Sequence, residues 1–392
     1  MPEIAFGFTR EEYAQRLLKT RQAMEGRGID TLVVSDPSNM AWLTGYDGWS
    51  FYVHQAVIVT LDDDPHWWGR AQDVNGARLT AYMDTDHLHG YDDDYVQAID
   101  RHPMEHLAAL LLDMGGYSVG VEMDNYYFSA AAWETLKRSH PQAHFFDATG
   151  LVNWQRAVKS EREIDYMRKA ARIVESMHAR IVELIEPGMR KNDIVAEILA
   201  AGARGVEGYG GDYPAIVPLL ATGARAAAPH LTWDDEPLER GEGTFFELAG
   251  CYRRYHAPLC RTIFLGDPPD DMRRAEQALL AGLEAGLEAA RAGNRAGDVA
   301  DALNAELRKA GIDRRGRCGY PIGLSYPPDW GERTISFRSS DTTTLEPNMT
   351  FHFMPGLWME NWGIEITESI RITEDGPAET LTSFPREIVV KR

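Results

Sequence analysis

The chain has 392 residues, 44% of them apolar, which is enough for a large core, and a usual size of roughly 100–200 residues per domain suggests two domains. Sixty acidic residues against forty basic ones give a net charge of −20, which opposes binding to nucleic acid or anionic lipid. No apolar run approaches the ~20 residues of a membrane span, MPEIAFGFTREEY lacks the pattern of a secretory signal, and Cys251, Cys260 and Cys318 have no metal-type spacing, so the expectation is a reduced, cytoplasmic protein.

From Thr9 to about Val158, the helical pattern REEYAQRLLKTRQAME alternates with the strand-like runs TLVVS, AVIVTL and YSVGVE. That alternation predicts an α/β layer domain over residues 1–157, with NMAWLTGYDG reading as a turn. A second domain, 158–392, is expected from KSEREIDYMRKAARIVESMHARIVELIEPG, whose apolar residues recur at helical spacing before a Pro-Gly stop. NDIVAEILAAGARGVEG, DDMRRAEQALLAGLEAGLEAARAG and DVADALNAELRKAG predict further helices. TFFELAG, CRTIFLG, MTFHFMPGLW and GIEITESIRIT alternate as half-buried strands that send every second side chain into one cavity.

DPSNMAWLTGY, RAVKSEREIDYMRKAARI, RTIFLGD and LEPNMTFHFMPGLWMENWGIEITESIRITEDG together resemble the creatinase and aminopeptidase P type of the pita-bread family. The resemblance implies a creatinase-like α/β N-terminal domain followed by an α+β pita-bread catalytic domain. Metal-dependent members hold two ions with two Asp, one His and two Glu. Here those positions fall on Glu247, Pro258, Tyr320, Met354 and Thr367, with Glu365 on the same strand face as Thr367. Pro, Met and Thr cannot replace charged oxygen ligands, so no metal and no cofactor are expected.

The resemblance places His230 near the scissile bond, and Glu247, Glu365, His256 and His352 add ionisable groups around the cavity. His256 and His352 are candidate substrate contacts, although a packed structural role is the commoner fate for each. The expected catalytic set is Glu247, His230 and Glu365. A protonated amidine or guanidine carries its own positive charge at the carbon to be attacked, so carboxylates can act on it where a peptide bond requires a Lewis acid. In this scheme Glu247 attacks or activates water, His230 passes a proton to the departing nitrogen, and Glu365 holds the amidinium N–H groups. Strand alternation points Glu368 to the opposite face.

Likeness to members that open cyclic amidines runs through GYDGWSFYVHQ, FFELAGCYRRYHAP, RCGYPIGLSYPPDW and FHFMPGLWMENWG. It implies hydrolysis of the small zwitterion ectoine to Nα-acetyl-L-2,4-diaminobutyrate, with a deacetylase downstream. It also implies a homodimer in which Trp49, Phe51 and Tyr52 reach the neighbouring subunit's cavity, with core packing the commoner fate for Trp49; where creatinase has an Arg for the substrate carboxylate this chain has Val53, and the next residue, His54, is a candidate for that contact. Tyr209 and Tyr213 are candidates for the cavity mouth. The alternatives are another small amidine or guanidine hydrolase, a metal-dependent Xaa-Pro peptidase and a non-catalytic solute-binding scaffold.

Overall fold

In a computed structural model, which describes residues 5–392, the chain divides into two units between Arg156 and Ala157. The N-terminal unit is built on a six-stranded sheet of β1 (Thr31–Val34), β2 (Ala56–Thr60), β3 (His66–Arg70), β4 (Leu88–Tyr91), β5 (Ser118–Val121) and β6 (His144–Asp147), in the order β4-β3-β2-β1-β5-β6. β1 runs antiparallel to β2 and parallel to β5. Its alternation is consistent with burial on both faces: Leu32 and Val34 join one core with Leu17 and Met24, whereas Val33 joins another with Leu107, Leu111 and Leu136.

The NMAWLT segment is not a turn, as the sequence reading held, but lies in a helix over Pro37–Thr44. The Asp36 side chain caps it by accepting from the Ser38 N–H, Pro37 suits the first turn, and Gly45 ends it at φ 78°. Turn chemistry is confined to the ends of that segment.

The C-terminal unit carries the long hairpin of β7 (Gly243–Tyr252) and β8 (Tyr255–Leu265), with β15 (Val389–Lys391) parallel to β8. A second sheet joins β9 (Gly319–Pro321), β10 (Thr350–Phe353), β13 (Glu368–Arg371) and β14 (Glu379–Thr380) in the order β14-β13-β10-β9, and β11 (Gly356–Trp358) and β12 (Gly363–Glu365) form a separate ribbon. The alternating runs MTFHFMPGLW and GIEITESIRIT therefore each break once, at Met354–Pro355 and Ile366–Thr367, where the chain passes from sheet to ribbon.

The Glu161–Leu184 helix covers the hairpin. Ser160 and Glu163 start it with reciprocal side-chain to backbone bonds, and the Tyr255 hydroxyl donates to Glu163 at 2.7 Å, tying helix to strand. Contact is so close at Gly250 that a Cβ there would meet the Ala170 carbonyl oxygen at 2.0 Å. Helices Asp270–Ala289 and Ala296–Lys309 bury Leu279, Leu283 and Leu303 with Phe351 and Phe353 of β10. No helix among the described residues is long and apolar enough to cross a membrane.

Candidate active site

A cavity of about 300 Å³ in the C-terminal unit is lined by Glu247 from β7, Glu365 from β12, Tyr320 from β9, and His230, Asp329 and Met354 from the intervening loops. Three arginines, Arg314, Arg315 and Arg317, complete one side. The size lies at the lower end of ligand pockets, which run from ~300 to 1,000 Å³, and suits a small molecule.

The two glutamates are buried beside one another, and neither carboxylate finds a hydrogen-bond donor among the described residues. Burial, then the charges of Glu365 and Asp329, pushes the Glu247 carboxyl well above its ordinary range. Burial likewise raises Glu365 to about 7, against the easing effect of Cys260 and Arg314. The Cys260 thiol beside Glu365 offers it at most a weak S–H contact. Two desolvated carboxyls without donors cost stability unless a ligand supplies positive charge and N–H groups.

His230 is exposed at the mouth next to Pro229, and its imidazole makes no hydrogen bond among the described residues. The other two histidines are already engaged. His256 Nε2 accepts from the Ala215 N–H and its Nδ1 donates to the Arg254 carbonyl, each at 2.9 Å, so the ring braces a loop and does not line the cavity. His352 lies behind the wall, between the Tyr320 hydroxyl at 2.9 Å and the Thr367 hydroxyl at 2.7 Å. Burial keeps both imidazoles neutral, at about 4 for His256 and about 3 for His352. Direct substrate contact is therefore corrected to a supporting role for both residues.

Tyr209 and Tyr213 also fall elsewhere. Tyr213 lines an apolar groove with Met177 and Leu248, under the Arg254 guanidinium at 3.7 Å, and Tyr209 lines a surface groove with Lys169 and Arg172. Neither reaches the acidic cavity, because the intervening loop turns them to the side of the hairpin facing the Glu161–Leu184 helix. Glu368 points away as alternation required and is held by buried Arg261 at 2.7 Å and by Arg386. In the N-terminal unit, Trp49 and Tyr52 are 58% and 67% exposed, Phe51 stacks at a tilt on Trp49, and burial beside His102 lowers His54 to about 4.

The sequence reading missed Arg314, Arg315 and Arg317 as cavity residues. The signal was the run RRGR ahead of CGYP, conspicuous in a chain so acidic. It also took Tyr320 only as a lost ligand position and did not single out Asp329.

At the five positions that hold ions in metal-dependent relatives, the donors do not fit a pair of hard divalent cations. Pro258 has no side-chain donor, and the Thr367 hydroxyl is committed to the Cys260 N–H and His352. Tyr320 already accepts from the Trp330 indole, and Met354 offers only a soft thioether. The one group of three metal-type side chains found among the described residues, Asp63, His66 and His87, lies in the N-terminal unit.

Residues 16–158 match the model for the Creatinase/Prolidase N-terminal domain, and residues 165–374 match that for metallopeptidase family M24. The chain belongs to the creatinase and M24 family of two-domain hydrolases, with a creatinase-type N-terminal domain and a pita-bread C-terminal one. It is 61% identical to the ectoine hydrolase of Halomonas elongata, with both chains covered completely. An uncharacterized hydrolase/peptidase of Sinorhizobium fredii is 42% identical over 98% of each chain. Among solved structures, prolidase from Pyrococcus horikoshii superposes with a TM-score of 0.81 at 20% identity, covering 96% of this chain and 100% of that one. Prolidase from Thermococcus sibiricus superposes with a TM-score of 0.84 at 17% identity, covering 97% and 99%.

Proposed function

We propose that the chain opens the cyclic amidine ring of ectoine by hydrolysis without a metal ion, releasing Nα-acetyl-L-2,4-diaminobutyrate. The observation that carries this reading is the pair Glu247 and Glu365, buried on one cavity with no donor to satisfy either carboxylate. An amidinium supplies both the charge and the N–H groups they lack. The identity to a named ectoine hydrolase selects this amidine among others.

Ectoine joins an amidinium to a carboxylate on one ring, and the cavity lining joins carboxyls to arginines. The amidinium faces the carboxyls, and the substrate carboxylate lies toward Arg317, whose guanidinium sits 4.7 Å over the Tyr320 ring, with Arg315 beside it. Glu365 holds the ring N–H groups. Glu247 draws the proton from a water as it adds to the amidinium carbon, giving a neutral tetrahedral species; direct attack by the carboxylate is the covalent variant of the same step. Exposed at the mouth, His230 exchanges protons between solvent and cavity. A deacetylase acting on the amide product completes the use of the compound.

The exposed aromatics Trp49 and Tyr52, with Phe51 and His54, support a homodimer in which this segment contributes cation–π contacts to a second copy's substrate. The test is incubation of purified protein with ectoine and, separately, with creatine, followed by product identification by mass spectrometry. Acetylated diaminobutyrate from ectoine supports the proposal. Binding without turnover, or turnover of creatine alone, contradicts it.

A further inference from the structure

The hydrogen bonds behind the cavity wall form a chain whose direction can be counted. The Thr367 hydroxyl is fully buried and accepts from the Cys260 backbone N–H at 2.8 Å. Its own hydrogen has one acceptor among the described residues, His352 Nε2 at 2.7 Å. A hydroxyl hydrogen left without an acceptor in a dry interior forfeits its bond to water with nothing in return, so Thr367 donates to Nε2. His352 must then carry its hydrogen on Nδ1, and burial keeps the ring neutral, with one N–H only.

That N–H donates to the Tyr320 hydroxyl oxygen at 2.9 Å, and the Trp330 indole N–H donates to the same oxygen at 2.8 Å. Tyr320 thus accepts twice, and its hydrogen has no acceptor among the described residues. The residue lines the cavity, where burial and then the charge of Glu247 push its hydroxyl well above the ordinary range and keep the proton on it. With the opposite wiring, Tyr320 would spend its hydrogen on His352 and strand that of Thr367 in the core.

We infer that Tyr320 is a catalytic proton donor, set in that role by Thr367 and His352, which positions its hydrogen toward the departing ring nitrogen. The inference rests on the amidine-hydrolase reading and moves to Tyr320 the transfer that the sequence had assigned to His230. When the tetrahedral carbon expels the nitrogen, the C–N bond breaks, the phenol proton moves to that nitrogen, and the carbon–oxygen bond becomes a carbonyl. The hydroxyl hydrogen of the tetrahedral carbon returns to the phenolate, which the two N–H donors stabilise while it exists. Glu247 then gives the proton it took from water to the freed amine. Atoms and charge balance without a co-reactant.

Two measurements on the intact protein test this. Tyr320→Phe keeps the ring and the Arg317 contact but has no proton to give, so kcat for ectoine falls by roughly 10²-fold or more while KM stays within a small factor. Nitrogen-15 spectra of histidine-labelled wild type report hydrogen on Nδ1 of His352. Thr367→Val moves that hydrogen to Nε2 and lowers kcat, and Thr367→Ser restores both. A Tyr320→Phe enzyme with undiminished kcat, or wild-type His352 with its hydrogen on Nε2, overturns the inference. If Tyr320→Phe does not fold, the wild-type spectrum alone decides the wiring. Failure of wild type to consume ectoine sinks the functional reading and leaves the tautomer measurement to judge the hydrogen-bond chain.

Discussion

Glu365→Gln should make the protein more stable, and only on the alkaline side. The wild-type carboxyl is held near 7 in the folded chain against an ordinary 4.5. At about 1.4 kcal/mol per pH unit this gap corresponds to about 3 kcal/mol. Because folding raises the pKa, the folded chain binds the proton more tightly than the unfolded one. That stability is fully present below pH 4.5 and is lost as pH rises through 7. Glutamine is neutral throughout and avoids the loss. Urea unfolding of both proteins should therefore show the variant ahead by about 3 kcal/mol at pH 8 but by less than about 1 kcal/mol at pH 5. A variant no more stable at pH 8, or favoured equally at both values, would refute the claim that the cavity stores an uncompensated carboxylate. The same variant should bind ectoine more weakly, since it gives up a charged partner of the amidinium.

Glu247→Gln should lower turnover by roughly 10²–10⁴-fold while calorimetry still detects ectoine binding, because the amide neither attacks nor takes a proton. Gly250→Ala should destabilise the catalytic unit by about 3 kcal/mol or more in urea unfolding, since the added methyl meets the Ala170 carbonyl and neither backbone can yield cheaply. Lys159→Met should cost about 3 kcal/mol by taking from the Glu332 carboxylate an ammonium 2.6 Å away in a pair whose side chains are each 1% exposed; a loss under about 1 kcal/mol in the same assay would contradict this.

Much of the fold was legible because its elements carry strong local patterns. The Glu161–Leu184 helix announces itself by apolar spacing and by Ser160 three residues ahead of Glu163, and β7 and β8 by period-two alternation. The strands at His66–Arg70 and Leu88–Tyr91 were missed, since HWWGR and LHGY are short and show no alternation. Glu247 and Glu365 could be paired because each keeps its strand face, and their meeting in one cavity follows from resemblance joined to periodicity.

What sequence could not convey were partners fixed by tertiary packing. Nothing near His256 reveals that a loop amide at Ala215 occupies its ring, and nothing near Tyr320 reveals that Trp330 and His352 converge on its hydroxyl. The arginines before β9 were visible as a run, but their approach to the cavity depends on a loop path that no local propensity sets.

The central claim is that a cationic amidine is hydrolysed by glutamates in a site whose relatives use ions. It is tested most directly by measuring ectoine turnover by protein stripped with a chelator, with metal content read by elemental analysis of the same sample. Full activity with substoichiometric metal is the predicted result. Loss of activity on stripping, restored by manganese, cobalt or zinc, would contradict it.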